Sequence, residues 1–128
     1  MTMISAHIST REIACKCGCG FEIIEREIVR RFEAIRTKCA VHIGYEIPVF
    51  ILSGCRCEAH NIAVGGSKRS RHIKGQAMDL KCPNMMLFKD FVRICKDVMQ
   101  HFGGLGVYTE GNFVHIDCRT EEIARWHD

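Results

Sequence analysis

The sequence is short of the features that define several large classes of protein. No run of about eighteen apolar residues occurs in its 128 residues, so no membrane-spanning helix is expected. The opening stretch MTMISAHISTREIA lacks a basic start followed by an apolar segment. A standard signal peptide is therefore not expected, and synthesis and initial residence in the cytosol are. There is no internal repeat, low-complexity segment or Pro/Gly-rich linker, which leaves one domain spanning residues 1–128. Charge of one sign is also lacking. The net charge is only +3, and the lysines and arginines are interleaved with acids, as in EREIVRRFEAIR. Without a basic stripe, nucleic acid is not expected as a partner. The nine cysteines cannot all pair within one chain, and no C-x2-C zinc knuckle is present.

What is present is enough apolar material for a core, 47% of residues. In residues 21–40, Ile24, Ile28, Phe32, Ile35 and Cys39 recur at helical spacing and predict an amphipathic helix. IPVFILSG (47–54) reads as a buried strand, and RCEAHNIAVGGS as a short helix stopped by Gly65 and Gly66. QAMDLKC (76–82) reads as a second strand. Residues 83–104 form a second long helix, opened by Pro83 and closed by the pair Gly103 and Gly104. The segment GLGVYTEGNFVHIDCR predicts two strands around a Glu-Gly-Asn turn. The expected fold is a compact α+β domain with helices packed on one face of a mainly antiparallel sheet. Cys39, Cys95 and Cys118 fall on its apolar positions.

Alternation along a strand sends successive side chains to opposite faces. In FVHIDCR, Val114, Ile116 and Cys118 share an apolar face, and Phe113, His115 and Asp117 share the other. In QAMDLKC, Met78 and Leu80 point inward, and Ala77 and Asp79 point to the opposite face. If the two strands are neighbours, Asp79, His115 and Asp117 converge. His72 then arrives from the loop before the strand, helped by a tight turn at Gly75. Two histidines and one carboxylate form a catalytic zinc set, because three protein ligands leave one tetrahedral position for water. His42, His60, His101 and His127 have no acid in a comparable pattern and read as surface or helix-end residues.

The stretches SGCRCEAHNIAVGGSKRSRHIKGQAMDL and GGLGVYTEGNFVHIDCR resemble the zinc D-Ala-D-Ala metallopeptidase family, of the peptidase M15 type. The resemblance covers roughly residues 47–119, where S-G-[YF]-R-S, S-x-H-x-x-G-x-A-x-D and F-V-H-x-D follow one another in order. It implies the fold shared by hedgehog and the DD-peptidases. It also implies one Zn2+ per chain on His72, Asp79 and His115, a substrate-binding Arg56, and hydrogen-bonding support from Ser70. The implied activity is hydrolysis of peptidoglycan stem peptides or cross-links by a monomer. Carboxypeptidase and endopeptidase both remain open. Action at the cell wall, by a phage or prophage lysin, would reconcile this substrate with the missing export signal.

The sequence departs from the pattern at Cys55 and Cys57, where the family has an aromatic residue and a serine, and at Asn112, where several relatives carry an acid. Two acids are candidates for the general base. Asp117 shares a strand face with His115, whereas Glu110 sits in the hairpin turn, and the more rigid strand favours Asp117. A non-catalytic zinc-containing binding module of the same fold is the rival expectation. The CKCGCG stretch (Cys15, Cys17, Cys19) is not expected to serve catalysis or to bind a structural metal. A bridge from Cys15 or Cys19 to Cys57 is open to it in an oxidising exterior.

Overall fold

The computed structural model describes residues 2–128. After a short helix α1 (Thr10–Ile13), the long helix α2 spans Arg26–Ile43 and buries Ile28, Val29, Phe32, Ile35 and Cys39 on one side. This is the stripe the spacing predicts, but the helix begins five residues later than expected. The backbone of residues 21–25 is committed elsewhere: Cys15 N–H donates to Phe21 O (2.7 Å) and Glu25 N–H to Gly75 O (2.8 Å). The helix also runs further, to Gly44, which takes a left-handed φ of 99° and returns its N–H to Ala40 O.

Strand β1 (Ile51–Ser53) is shorter than the apolar run containing it. Helix α3 (Glu58–Ala63) and a 3-10 turn (Arg71–Lys74) lead into β2 (Ala77–Lys81). Helix α4 occupies Phe88–Met99, inside the expected 83–104. Its end is set at Gln100 rather than by the glycine pair, because Gly104 already belongs to β3 (Gly104–Tyr108). Strand β4 (Phe113–Asp117) completes the hairpin, and β5 (Ala124–His127) follows it. The sequence reading contained no β5.

The sheet order is β1-β2-β4-β3-β5, antiparallel throughout except for the parallel β3–β5 pair. The expected class, α+β with a mainly antiparallel sheet, is the observed one. One face carries Met78, Leu80, Leu105, Val114 and Ile116, all of them buried in a core shared with α2 and α4. Cys39, Cys95 and Cys118 lie in that core as expected. The register decides the opposite face. Asp79 pairs with His115 and Ala77 with Asp117, so the chemically active residues of two strands meet across one ladder. Among the described residues, no helix is long and apolar enough to cross a membrane.

Candidate metal centre

His72 comes from the 3-10 turn, Asp79 from the middle of β2 and His115 from the middle of β4. The turn is built locally. Ser70 caps it by accepting from His72 N–H (3.2 Å), and Gly75 closes it at φ 67°. Ser70 thus supports His72 through the backbone, as the resemblance implies. His72 Nε2 lies 3.2 Å from Asp79 Oδ1, and His115 Nδ1 lies 3.0 Å from the same oxygen. All three donor atoms fall within 4.8 Å of one another.

The other ring nitrogen of each histidine fixes its tautomer. His72 Nδ1 lies 2.6 Å from the Gly54 carbonyl oxygen and can only donate there, which leaves the Nε2 lone pair toward the trio. His115 Nε2 lies 2.8 Å from Asp117 Oδ2 and donates to it, which leaves the Nδ1 lone pair toward the trio. Two neutral nitrogen donors and one carboxylate therefore converge, each imidazole oriented by a second hydrogen bond. Burial alone would raise the pKa of Asp79. With protons rather than an ion between these groups, hydrogen bonds donated by His115 and His72 outweigh it and hold the carboxyl well below the usual range; an ion would take the place of those protons. The donor set fits zinc: three N/O ligands leave a fourth position for water, and the two separations from Asp79 Oδ1, 3.2 and 3.0 Å, are near the roughly 3.3 Å expected for donors about 2.0–2.1 Å from a tetrahedral ion.

Arg56 stands next to this trio. Its Nη2 is 3.6 Å from Asp79 Oδ2, its Nη1 donates to Asn61 Oδ1 (2.8 Å) and its Nε to Ser53 Oγ (3.3 Å). Its backbone N–H also donates to His72 O (2.9 Å). Asn61 is buried and holds the guanidinium while its own Nδ2 donates to Ser67 O (2.8 Å). Sequence reasoning passed over Asn61; a polar residue in a short helix gives no signal until its burial is known.

Of the two acids expected as base, neither lines the cleft. Asp117 is on the expected face but has no exposed surface. Its carboxylate accepts from Arg119 Nε (2.8 Å), Nη2 (2.7 Å) and backbone N–H (3.2 Å), as well as from His115. Burial opposes ionisation, but the Arg119 and His115 hydrogen bonds prevail and keep Asp117 a carboxylate. Gly104 makes the room: a Cβ there would stand 2.6 Å from Asp117 Oδ1. Glu110 is an exposed turn residue whose N–H donates to Asp128 Oδ2 (3.3 Å), and it does not line the cleft.

A cleft of about 670 Å³ opens over the trio. Arg56, Ser70, His72, Asp79 and His115 line it, together with the aromatic residues Tyr108, Phe113 and Trp126. Trp126 sits on β5, with its ring 5.2 Å from that of His115 and its Nε1 donating to Tyr108 Oη (2.7 Å). Tyr108 in turn stacks on Phe113 at 4.6 Å. This aromatic wall was missed with β5. The available signal was the chain's single tryptophan within a short alternating stretch, ARWH.

The family model described as Peptidase M15 matches residues 6–117, most of the chain and all three members of the trio. Among curated proteins, the peptidoglycan L,D-endopeptidase MepK of Escherichia coli (strain K12) is 38% identical over 80 residues, covering 59% of this chain and 42% of that protein. The MepK of Shigella flexneri matches to the same extent. The probable peptidoglycan L,D-endopeptidase MepK of Haemophilus influenzae is 36% identical over 62 residues, covering 48% of this chain and 31% of that one. The match thus spans less than half the length of these curated relatives.

Proposed function

We propose, from the premise that this chain belongs to the peptidase M15 family, that it is a zinc-dependent peptidase cutting peptide bonds of peptidoglycan, of the L,D-endopeptidase type. The observation that carries this reading is the convergence of His72, Asp79 and His115 within 4.8 Å at a cleft beside a clamped arginine. His72, Asp79 and His115 would hold the ion. When bound, zinc supplies Lewis-acid polarisation of the scissile carbonyl and activation of water.

The rest of the site is the protein's own contribution. Gly54 O and Asp117 fix the two imidazole tautomers. Arg56 presents a planar fork suited to a carbonyl or carboxylate oxygen of the substrate, pre-positioned by Asn61 and Ser53. Trp126, Tyr108 and Phe113 offer an apolar, partly polar-tipped wall to the peptide. In this reading Asp117 orients His115 rather than accepting a proton, because all its oxygen positions are engaged and none faces the cleft. Glu122 is the remaining carboxylate that lines the cleft. Glu122→Gln tests it as the proton acceptor, with turnover expected to fall and bound zinc unchanged.

The direct test is digestion of purified peptidoglycan with zinc-loaded and chelator-treated protein, with the released fragments identified by mass. Fragments from cleavage at an L,D bond, lost with His72→Ala, are the expected result. Release of free D-alanine alone would make the protein a carboxypeptidase. The absence of Asp117 and Glu110 from the cleft lining favours one second reading, a zinc-containing binding module. Peptidoglycan that is bound but not cut would establish it.

A further inference from the structure

A second cluster of potential ligands lies outside the cleft. Cys15, Cys17 and Cys19 follow α1 in the CKCGCG stretch, and Cys57 is the residue that caps α3. Their sulfurs all fall within 4.8 Å of one another. Cys15 and Cys17 stand 3.4 Å apart, Cys17 and Cys57 3.7 Å and Cys15 and Cys57 3.8 Å. These separations are far beyond the roughly 2.05 Å of a disulfide. They match the roughly 3.8 Å edge of a tetrahedron of sulfurs about 2.3 Å from a central ion.

The cluster is not a by-product of a cysteine-rich composition. The other five cysteines, Cys39, Cys55, Cys82, Cys95 and Cys118, are all buried, and none joins the group. Cys55, the nearest in sequence to Cys57, turns away and donates its S–H to Ile13 O and Phe21 O. Two sulfurs of the cluster already receive backbone donors, Cys15 from Cys57 N–H and Cys57 from His60 N–H, each at 3.4 Å. N–H···S bonds of this kind orient sulfur ligands around a metal.

We propose that Cys15, Cys17, Cys19 and Cys57 form a second metal site, which takes one Zn2+ as a closed tetrathiolate. Four protein ligands leave no position for water, so the site is structural. Each thiol releases its proton to solvent on binding, and no redox change is involved. The C-x-C-x-C spacing by itself argued against a metal. The fourth ligand, 42 residues beyond Cys15, comes only with the fold. The consequence for the cleft is mechanical. Cys57 follows Arg56 directly, so the ion would staple the N-terminal segment to the junction that carries the substrate-facing arginine and, through Arg56 N–H, the His72 backbone.

The test uses the full chain purified under reducing, zinc-replete conditions. Elemental analysis is expected to give two zinc per chain in the wild type. One should remain in His72→Ala, and one in the Cys17→Ser/Cys19→Ser double variant. His72→Ala reconstituted with Co2+ should show intense sulfur-to-cobalt charge-transfer absorption in the near ultraviolet. That measurement stands even if the cysteine variant does not fold. A His72→Ala protein with no bound metal and no such absorption would overturn the proposal. So would an alkylation-resistant disulfide among these four residues in the reduced preparation. Because the decisive variant lacks the cleft ligand, the outcome is independent of whether the cleft hydrolyses peptides.

Discussion

Replacing Asp117 by asparagine distinguishes an orienting carboxylate from a general base, and the structure gives the magnitude. Asp117 is fully buried, and its partner Arg119 is partly buried, with 14% of its side chain exposed. The variant keeps the shape but removes the charge that compensates the guanidinium, and it turns an N–H donor toward Arg119 or His115. Removing one member of such a buried pair costs about 3–5 kcal/mol, because the other charge is left uncompensated. Asparagine retains one acceptor oxygen, so the lower end, about 3 kcal/mol, is expected. At roughly 2–4 °C per kcal/mol for a chain near this size, Tm should fall by roughly 6–12 °C. His115 is left with a neutral, weaker acceptor or with an N–H facing its own, so its tautomer is held less firmly and zinc affinity at the cleft should drop by about 10- to 100-fold. The assays are thermal unfolding at matched free zinc and equilibrium dialysis in zinc buffers, with peptidoglycan turnover measured at saturating zinc. If Tm and zinc affinity stay at wild-type values while turnover falls by about 100-fold or more, Asp117 is the base after all, and the account of its hydrogen bonds is refuted.

Three other perturbations probe separate parts of the molecule. Arg56→Ala should lower kcat/KM about 10- to 100-fold at unchanged zinc content, the equivalent of losing one or two charge-assisted hydrogen bonds to substrate. Arg56→Lys should not restore it, since the ammonium keeps the charge but not the fork, and full recovery in steady-state assays would contradict the pairing geometry. Gly104→Ala places a methyl against the Asp117 carboxylate and should cost about 1–3 kcal/mol. The same variant should weaken zinc binding, and calorimetry that finds neither effect would show that β3 yields freely. On acidification the N-terminal loop should loosen before the core does. Glu33 is opposed by burial but favoured by hydrogen bonds from Ser5 and His7, which leave its pKa below the ordinary value. A lowered native pKa means that its stabilisation is complete above the unfolded value of about 4.3 and is lost as pH falls below it. The protection factors of the amides of residues 4–8, measured exchange rates set against the intrinsic rate at each pH, should therefore fall as pH drops below about 4.3, and unchanged protection would show that Glu33 does not anchor the loop.

Local pattern carried a good part of this protein. The stripe Ile28, Phe32, Ile35 and Cys39 specifies the buried side of α2, because a 3.6-residue period leaves those side chains one face to occupy. Alternation in AMDLK and FVHID likewise assigns Asp79, His115 and Asp117 to the side opposite Met78, Leu80, Val114 and Ile116, whatever the strands pair with. Those constraints act between near neighbours along the chain, so they are legible without the fold. The remaining features come from contacts between segments far apart in sequence. The register that sets Asp79 opposite His115 is a property of two strands more than thirty residues apart. The start of α2 depends on a hydrogen bond from Glu25 to Gly75, which no helical period reports. Whether Asp117 is a free base or a saturated, buried partner depends on Arg119 and on the space left by Gly104 in the neighbouring strand. Trp126 reaches the cleft only because β5 adds to the sheet edge in parallel with β3. Cys57 joins Cys15, Cys17 and Cys19 only when the fold brings the start of α3 to the N-terminal segment. Sequence determines which side chains share a face; long-range packing decides which faces meet and which of their polar groups remain free to react.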